Sequence, residues 1–402
     1  MTPFQDAALK LHRYILEHHW REQALLGPDP GIRLNYRIGR FVKSYLDRYL
    51  GGHLGRGFWK DDLYYLQGQG YWVLGNWELF RRTGDPRYAA LATAASQTML
   101  ARQRPDGAWP YPNPEWKGRV ATAEGTWGSL GLVESYRQTG EQRFLDGALA
   151  WHRFLTEVVG FQRMGDTLAI NYFAGMGKTR VPNNTAFVLR FLAELAEVTG
   201  EAAFCEPCPG LMRFMAQVQK PSGEFPYAVP GVNGGPLRPH FQCFQYNAFQ
   251  CLDLMRYQEL TQDPAALPVI EKVLGFLSGG LSPEGWAYYE CGNRHRRVTY
   301  HAAVLAAVFW RAGELGLGGY QELADRAYRY LLGRQRADGG FPYSQGDYRI
   351  LADDRSYPRY LAMILVHLLV PDATQTGRPG TDNQADSPGT HTGREETHAS
   401  VR

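Results

Sequence analysis

The chain has 402 residues, is 44% hydrophobic and carries a formal net charge of +3. That is enough apolar material for a large core, and so even a charge balance provides no electrostatic footprint for nucleic acid or an acidic membrane surface. No run of about 18 apolar residues occurs, so no membrane span is expected.

Met1-Thr2-Pro3-Phe4-Gln5-Asp6 opens an amphipathic helix over 4–24 and lacks the pattern of a signal peptide. With an odd number of cysteines, 5, the chain reads as the product of a reducing compartment, and a cytoplasmic location is expected. Gly27-Pro28-Asp29-Pro30 ends the helix, so residues 1–32 read as an N-terminal helical extension. A second helix runs over 33–50, followed by a glycine-rich turn that leads to Phe58-Trp59. The helix over 61–82 ends in Thr83-Gly84-Asp85. That ending returns as Thr139-Gly140-Glu141, Thr199-Gly200-Glu201 and Thr261-Gln262-Asp263. Glycine just past a helix is a C-cap signal.

The next helix closes on Gln103-Arg104-Pro105-Asp106-Gly107-Ala108-Trp109. This turn recurs at an interval of 116 residues, as Gln219-Lys220-Pro221-Ser222-Gly223-Glu224-Phe225 and Gln335-Arg336-Ala337-Asp338-Gly339-Gly340-Phe341. Each copy runs on into Pro-Tyr: Pro110-Tyr111, Pro226-Tyr227 and Pro342-Tyr343. A degenerate copy, Ser282-Pro283-Glu284-Gly285-Trp286, and a weaker one over Phe161 to Asp166 bring the true period near half of that interval; Phe58-Trp59 reads as a worn first copy. Such periods mark repeat architectures. The glutamine is placed to bond backbone groups orphaned at a helix end. Pro/Ala-Asp/Ser-Gly is turn chemistry, and the aromatic is expected to plug the layer between helices.

The pattern resolves into six helical hairpins. Helices that end at the motif carry charged faces, as at Arg143, Asp146 and Arg153. Their partners are richer in small and apolar residues, as in Ala302-Ala303-Val304-Leu305-Ala306-Ala307-Val308. A helix apolar all round is buried, so the partners form an inner ring and the motif helices an outer one. The fold expected over 33–370 is all-α, an (α/α)6 toroid, followed by a disordered tail over 371–402.

The Gln-x-x-x-Gly-x-Trp/Phe motif after a helix resembles the repeat of terpenoid cyclases and protein prenyltransferases. The same toroid underlies six-hairpin glycosidases, polysaccharide lyases and uronyl epimerases. The resemblance covers roughly residues 33–370 and implies the architecture more strongly than the chemistry.

In such a toroid the loops after the motif feed the starts of the inner helices, which share one funnel. The residues standing there are Asp61, Asp62, Tyr64 and Gln67; Trp116 and Glu124; Asn183 and Asn184; His240, Gln242 and Gln245; Arg297, Tyr300 and His301; and Asp353, Asp354, Arg355 and Tyr357. Acids, histidines, tyrosines and arginines from separate repeats are the usual ingredients of a catalytic pocket. Several also have structural readings: Asp61, Asn184 and Asp354 as helix caps, and His240 and His301 as hydrogen-bonded core residues.

An enzyme acting on a glycan, including one that carries uronic acid, is the leading expectation. Hydrolysis would use Glu124 or Asp62 against Asp353 or Asp354. Elimination or epimerisation would move the proton through Tyr300, Tyr357 or His301, with Arg297 or Arg355 neutralising a carboxylate. Asp61, Asp62, Tyr64, Trp116, Asn183, Asn184, His240, Gln242, Arg297 and Arg355 would bind substrate. A terpene-cyclase-like enzyme and a non-catalytic glycan- or partner-binding toroid are the alternatives; Leu351-Ala352-Asp353-Asp354 lacks the first Asp of the cyclase acid motif. Cys205-Glu206-Pro207-Cys208 has metal-ligand spacing but no second pair to complete it, so no metal or cofactor is expected.

Overall fold

The computed structural model describes residues 2–30, 49–50, 62–113, 116, 118–175, 179–230 and 239–371. Most of the helix expected over 33–50, the worn copy at Phe58-Trp59, Asp61 and the tail beyond Pro371 lie outside them. Among the described residues no helix is long and apolar enough to cross a membrane.

Among the described residues there are twelve α-helices: α1 (Pro3–His18), α2 (Leu66–Thr83), α3 (Pro86–Ala101), α4 (Thr122–Thr139), α5 (Gln142–Phe154), α6 (Pro182–Thr199), α7 (Cys208–Val218), α8 (Cys243–Thr261), α9 (Ala266–Ser278), α10 (Thr299–Glu314), α11 (Gln321–Leu332) and α12 (Pro358–Leu368). The even-numbered helices touch in sequence, and α12 returns to α2, so the inner ring closes. The fold is an (α/α)6 toroid. As expected for an inner helix, Ala302 to Val308 are wholly buried.

Each inner helix but the last packs on the outer helix that follows it. The turn between them is a repeated device. The hydroxyls of Thr83, Thr139, Thr199 and Thr261 each donate to the carbonyl four residues back, at 2.7–2.8 Å. Each then accepts the amide two residues on, that of Asp85, Glu141, Glu201 or Asp263. One side chain thus satisfies a carbonyl and an amide that the helix end would leave orphaned.

The recurring motif fastens its turn to the next outer helix. Gln103 Nε2 donates to the carbonyl of Gly107 in its own turn and to that of Gly147 in α5. Gln219 does the same to Gly223 and to Val269 in α9, and Gln335 to Gly339 and to Ala7 in α1. The glutamine therefore bridges two segments rather than capping its own helix alone. Its glycine is demanded twice over. At Gly223 φ is +89°, and a Cβ would stand 1.9 Å from the Lys272 carbonyl oxygen. Trp109, Phe225 and Phe341 are buried as plugs; Trp286 of the degenerate copy is half-buried beneath the Arg297 guanidinium, 3.7 Å from the ring centre.

The third motif docks on α1 as the others dock on α5 and α9, and α1 also packs against α12. The first helix of the chain is therefore an outer-ring helix beside the last inner one, not an extension set apart from the ring. The weak copy over Phe161 to Asp166 is no motif. Strands β1 (Phe161–Met164) and β2 (Thr167–Ile170) form an antiparallel hairpin there, turning at Gly165 (φ +61°) and Asp166. A second hairpin, of Ser344–Asp347 and Leu351–Asp353, precedes α12.

Candidate active site at the funnel mouth

Five of the six inner helices begin on extended residues with no side-chain cap, Tyr65, Ala121, Val181, Val298 and Tyr357, while α8 begins on the left-handed Gln242. Backbone carbonyls take up some of their first amides, as Tyr172 does for Thr122 and Tyr343 for Thr299; at α2 an acid from the neighbouring helix fills the role. Glu124, in the first turn of α4 and only 2% exposed, accepts the Gln67 amide at 2.9 Å. Burial pushes its carboxyl up to about 7, although the Arg359 charge and the Gln67 and Leu66 amides pull it down; Asp29 adds to the rise.

Arg359, in the first turn of α12, carries the positive charge of the site. Its Nε lies 2.8 Å from Asp29 Oδ2, one terminal nitrogen is 3.0 Å from Asp29 Oδ1, and that nitrogen also donates to the Tyr360 hydroxyl at 2.7 Å. The guanidinium sits over the Tyr65 ring at 4.2 Å. Asp29 is buried, so the fork-to-fork pair is shielded from water.

Around these groups stands a wall of tyrosines drawn from every repeat. Tyr65 meets Tyr111 edge-on at 6.0 Å, Tyr172 and Tyr111 both pack on Phe173, and Tyr227 meets Tyr246 at 5.1 Å. Tyr300 and Tyr360 lie 4.2 Å apart, and a cleft between Tyr300, Tyr343, Tyr357 and Tyr360 opens beside them. Tyr111, Tyr172, Tyr227, Tyr246 and Tyr360 are half-buried. Burial pushes the hydroxyls of Tyr111, Tyr172, Tyr246 and Tyr300 well up, so they stay protonated and serve as donors.

The sequence-predicted residues divide. Glu124, Tyr64, Tyr300 and Tyr357 reach the mouth or its wall; Arg102 stacks on Tyr64 at 4.2 Å. Asp353 and Asp354 do not open the sixth inner helix. Asp353 ends a strand, is fully buried, pairs with Arg355 at 2.8 Å and accepts the Tyr357 hydroxyl at 2.9 Å, while Asp354 accepts from Gln345. The hairpin ends at Asp353, and Pro358 starts the helix instead. Asp62 is exposed and pairs with Arg21 at 2.6 Å. His301 is fully buried and stacked on Tyr289, and burial holds it neutral. Arg297 lies on Trp286, and its amide donates to Asp347. Trp116 stacks on Phe173 at 5.3 Å. Asn183 is half-buried and Asn184 buried in the first turn of α6. His240 bonds Glu224, and Gln242 bonds the Tyr289 hydroxyl at 2.6 Å. Asp61 lies outside the described residues.

Arg359, Asp29 and the motif tyrosines were not among the predicted site residues. The signal for the tyrosines was on the page: in Trp/Phe-Pro-Tyr the first aromatic turns into the ring layer, and the third residue reaches the mouth.

No family model matches the chain, and no curated protein matches it. Solved structures do. The chain is similar to the cellobiose 2-epimerase of Spirochaeta thermophila at 14% identity and TM-score 0.67, over 91% of this chain and 95% of that one. A possible member of the GH105 family from Salmonella enterica aligns at 12% identity and TM-score 0.66, over 92% and 94%. A family 76 glycoside hydrolase (mannosidase) of Bacteroides thetaiotaomicron aligns at 13% identity and TM-score 0.65, over 92% and 97%. Similarity at this identity establishes the shared six-hairpin toroid.

Proposed function

We propose that the protein is a glycan-acting enzyme, and that Glu124 is its general acid in glycosidic bond hydrolysis. The observation that carries this reading is a buried carboxyl held near neutrality at the mouth of a tyrosine-walled funnel. A carboxyl with that proton affinity is half protonated at physiological pH, where it can give a proton to a leaving oxygen. Arg359, fixed by Asp29, orients the site and tempers the carboxyl. Tyrosine faces and hydroxyls suit a polyhydroxylated ring, which offers C–H faces for stacking and hydroxyls for bonding.

Tyrosine-based elimination is less favoured, because burial keeps the Tyr300 and Tyr357 hydroxyls protonated and unavailable as bases. A uronate clamp by Arg355 is disfavoured too, since Asp353 already engages it through two hydrogen bonds. The epimerase and glycoside hydrolase names of the structural neighbours, which belong to those proteins, fit a carbohydrate substrate.

A panel of oligosaccharides and aryl glycosides tests the reading. Turnover should fall as pH rises through about 7, and Glu124→Gln should lower kcat about 100- to 10,000-fold. Full activity of a folded Glu124→Gln protein would end this assignment.

A further inference from the structure

Three places around the ring from α2, the segments entering α8 and α10 meet. Glu224 follows the motif glycine Gly223, His240 and Cys243 bracket the entry to α8, and Cys291 lies on the turn before α10. One ligating atom from each of the four lies within 4.8 Å of all the others. His240 Nδ1 is 2.9 Å from Glu224 Oε1, and the two sulfurs are 3.1 Å apart.

We propose that Glu224, His240, Cys243 and Cys291 bind a zinc ion, forming a closed tetrahedral site that clamps the entry of α8 to the turn before α10. The donor set selects the metal. Two sulfurs exclude magnesium and calcium, and a four-ligand set of sulfur, nitrogen and oxygen is the tetrahedral arrangement zinc takes in structural sites.

The surroundings complete it. The Cys291 amide donates to Cys243 Sγ at 3.2 Å, and Lys220 Nζ lies 2.8 Å from Glu224 Oε2. Outer contacts of this kind orient ligands and tune their charge. Two thiolates and a carboxylate bring three negative charges, which a divalent ion and the Lys220 ammonium cancel. The backbone points the same way. His240 (φ +57°) and Gln242 (φ +45°) both sit in the left-handed region, which costs non-glycine residues of order 1–3 kcal/mol each and persists where surrounding bonds impose it.

Binding is an exchange of ions without redox change: the metal enters as a dication and two thiol protons leave to solvent. Because a thiol must lose its proton to bind the metal, zinc affinity should rise with pH. By pinning Gln242, which bonds Tyr289, the ion would stiffen the far wall of the funnel. This proposal is independent of Glu124 and of the substrate.

The test uses the full chain, purified with reductant and dialysed. Elemental analysis should find about one zinc per chain, and a chelator should lower Tm, with added zinc restoring it. Cobalt(II) loaded in place of zinc should give the intense visible bands of a tetrahedral thiolate complex. Cys243→Ser and Cys291→Ser should each weaken zinc binding at least tenfold, whereas the Cys205→Ser, Cys208→Ser double variant should bind as the parent does. Failure of the reduced wild-type protein to take up micromolar zinc would overturn the proposal. So would a weak octahedral cobalt spectrum, a read-out that holds even if the cysteine variants do not fold. A Cys243–Cys291 disulfide that leaves no zinc uptake after reduction would overturn it equally, as would uptake unchanged in the cysteine variants.

Discussion

Glu124 and Glu194 are the same residue type, both on inner helices, 2% and 4% exposed, and they sit at opposite ends of the barrel. Their carboxyls diverge. Burial lifts Glu124 to about 7, with one arginine charge opposing it. Burial would lift Glu194 as well, but Arg256, Arg190 and Arg137 outweigh it and hold the carboxyl near 2. Glu194 belongs to a belt at the closing ends of the inner helices. Arg81 pairs with Glu134 at 2.5 Å, Arg137 with Glu194 at 2.7 Å, Arg256 with Glu194 at 2.9 Å, and Arg311 with Glu259. The belt ties neighbouring helices to each other. At the mouth, Arg359 is committed to Asp29 and leaves Glu124 under-compensated. Burial alone therefore does not make a reactive acid; burial with too little compensating charge does.

The sharpest break of this contrast is Glu194→Gln. Removing one partner of a buried charge cluster strands the arginines and should cost about 3–5 kcal/mol, measured by urea unfolding, with the pH limb of turnover unmoved. A loss below about 1 kcal/mol would deny the belt its structural role.

Next in size is the opposite stability effect of Glu124. Its folded carboxyl lies above the ordinary value, so the folded state binds more protons and loses stability as pH climbs from 4.5 to about 7. The penalty is about 3 kcal/mol once both states are ionised. Glu124→Gln should therefore be more stable than the parent at pH 8, with the difference fading below pH 4.5. Glu194 runs the other way: its contribution is present above 4.5 and is lost as pH falls through about 2. Unfolding curves at several pH values would read both slopes, and parallel behaviour of the two variants would erase the contrast.

A smaller shift comes from Arg359→Met. It removes the cation that lowers Glu124 and leaves Asp29 beside it, so the alkaline limb of turnover should move up by about one pH unit. A downward move would mean that Arg359 does not temper the carboxyl. Smallest is Asp62→Asn. Asp62 and Arg21 are both more than half exposed, so the change should stay under about 1 kcal/mol and leave turnover intact.

Much of the architecture was legible in the chain. The threonine turns and the Gln-to-Gly motif are built from residues at most seven positions apart, and their equal spacing marks the repeats. The inner ring could be read from apolar runs such as Ala302 to Val308 because a helix buried on every side has no polar face to keep. Glu124 was legible for the same local reason: it stands in the first turn of an inner helix. Asp353 was misplaced because it belongs to a short hairpin that ends before that turn, and period alone does not reveal where strand pairing interrupts the helix-to-helix path.

What the sequence alone determined was therefore the repeat, the two rings and the position of some residues near the inner helix starts, Glu124 among them, since each depends on neighbours in the chain. Tertiary structure decided the rest. Asp29 and Arg359 are 330 positions apart, and α1 finds its place beside α12 only when the ring closes. The proton affinity of Glu124 depends on how much water and how many cations reach it, and both are properties of the packed mouth, where segments from both ends of the chain meet.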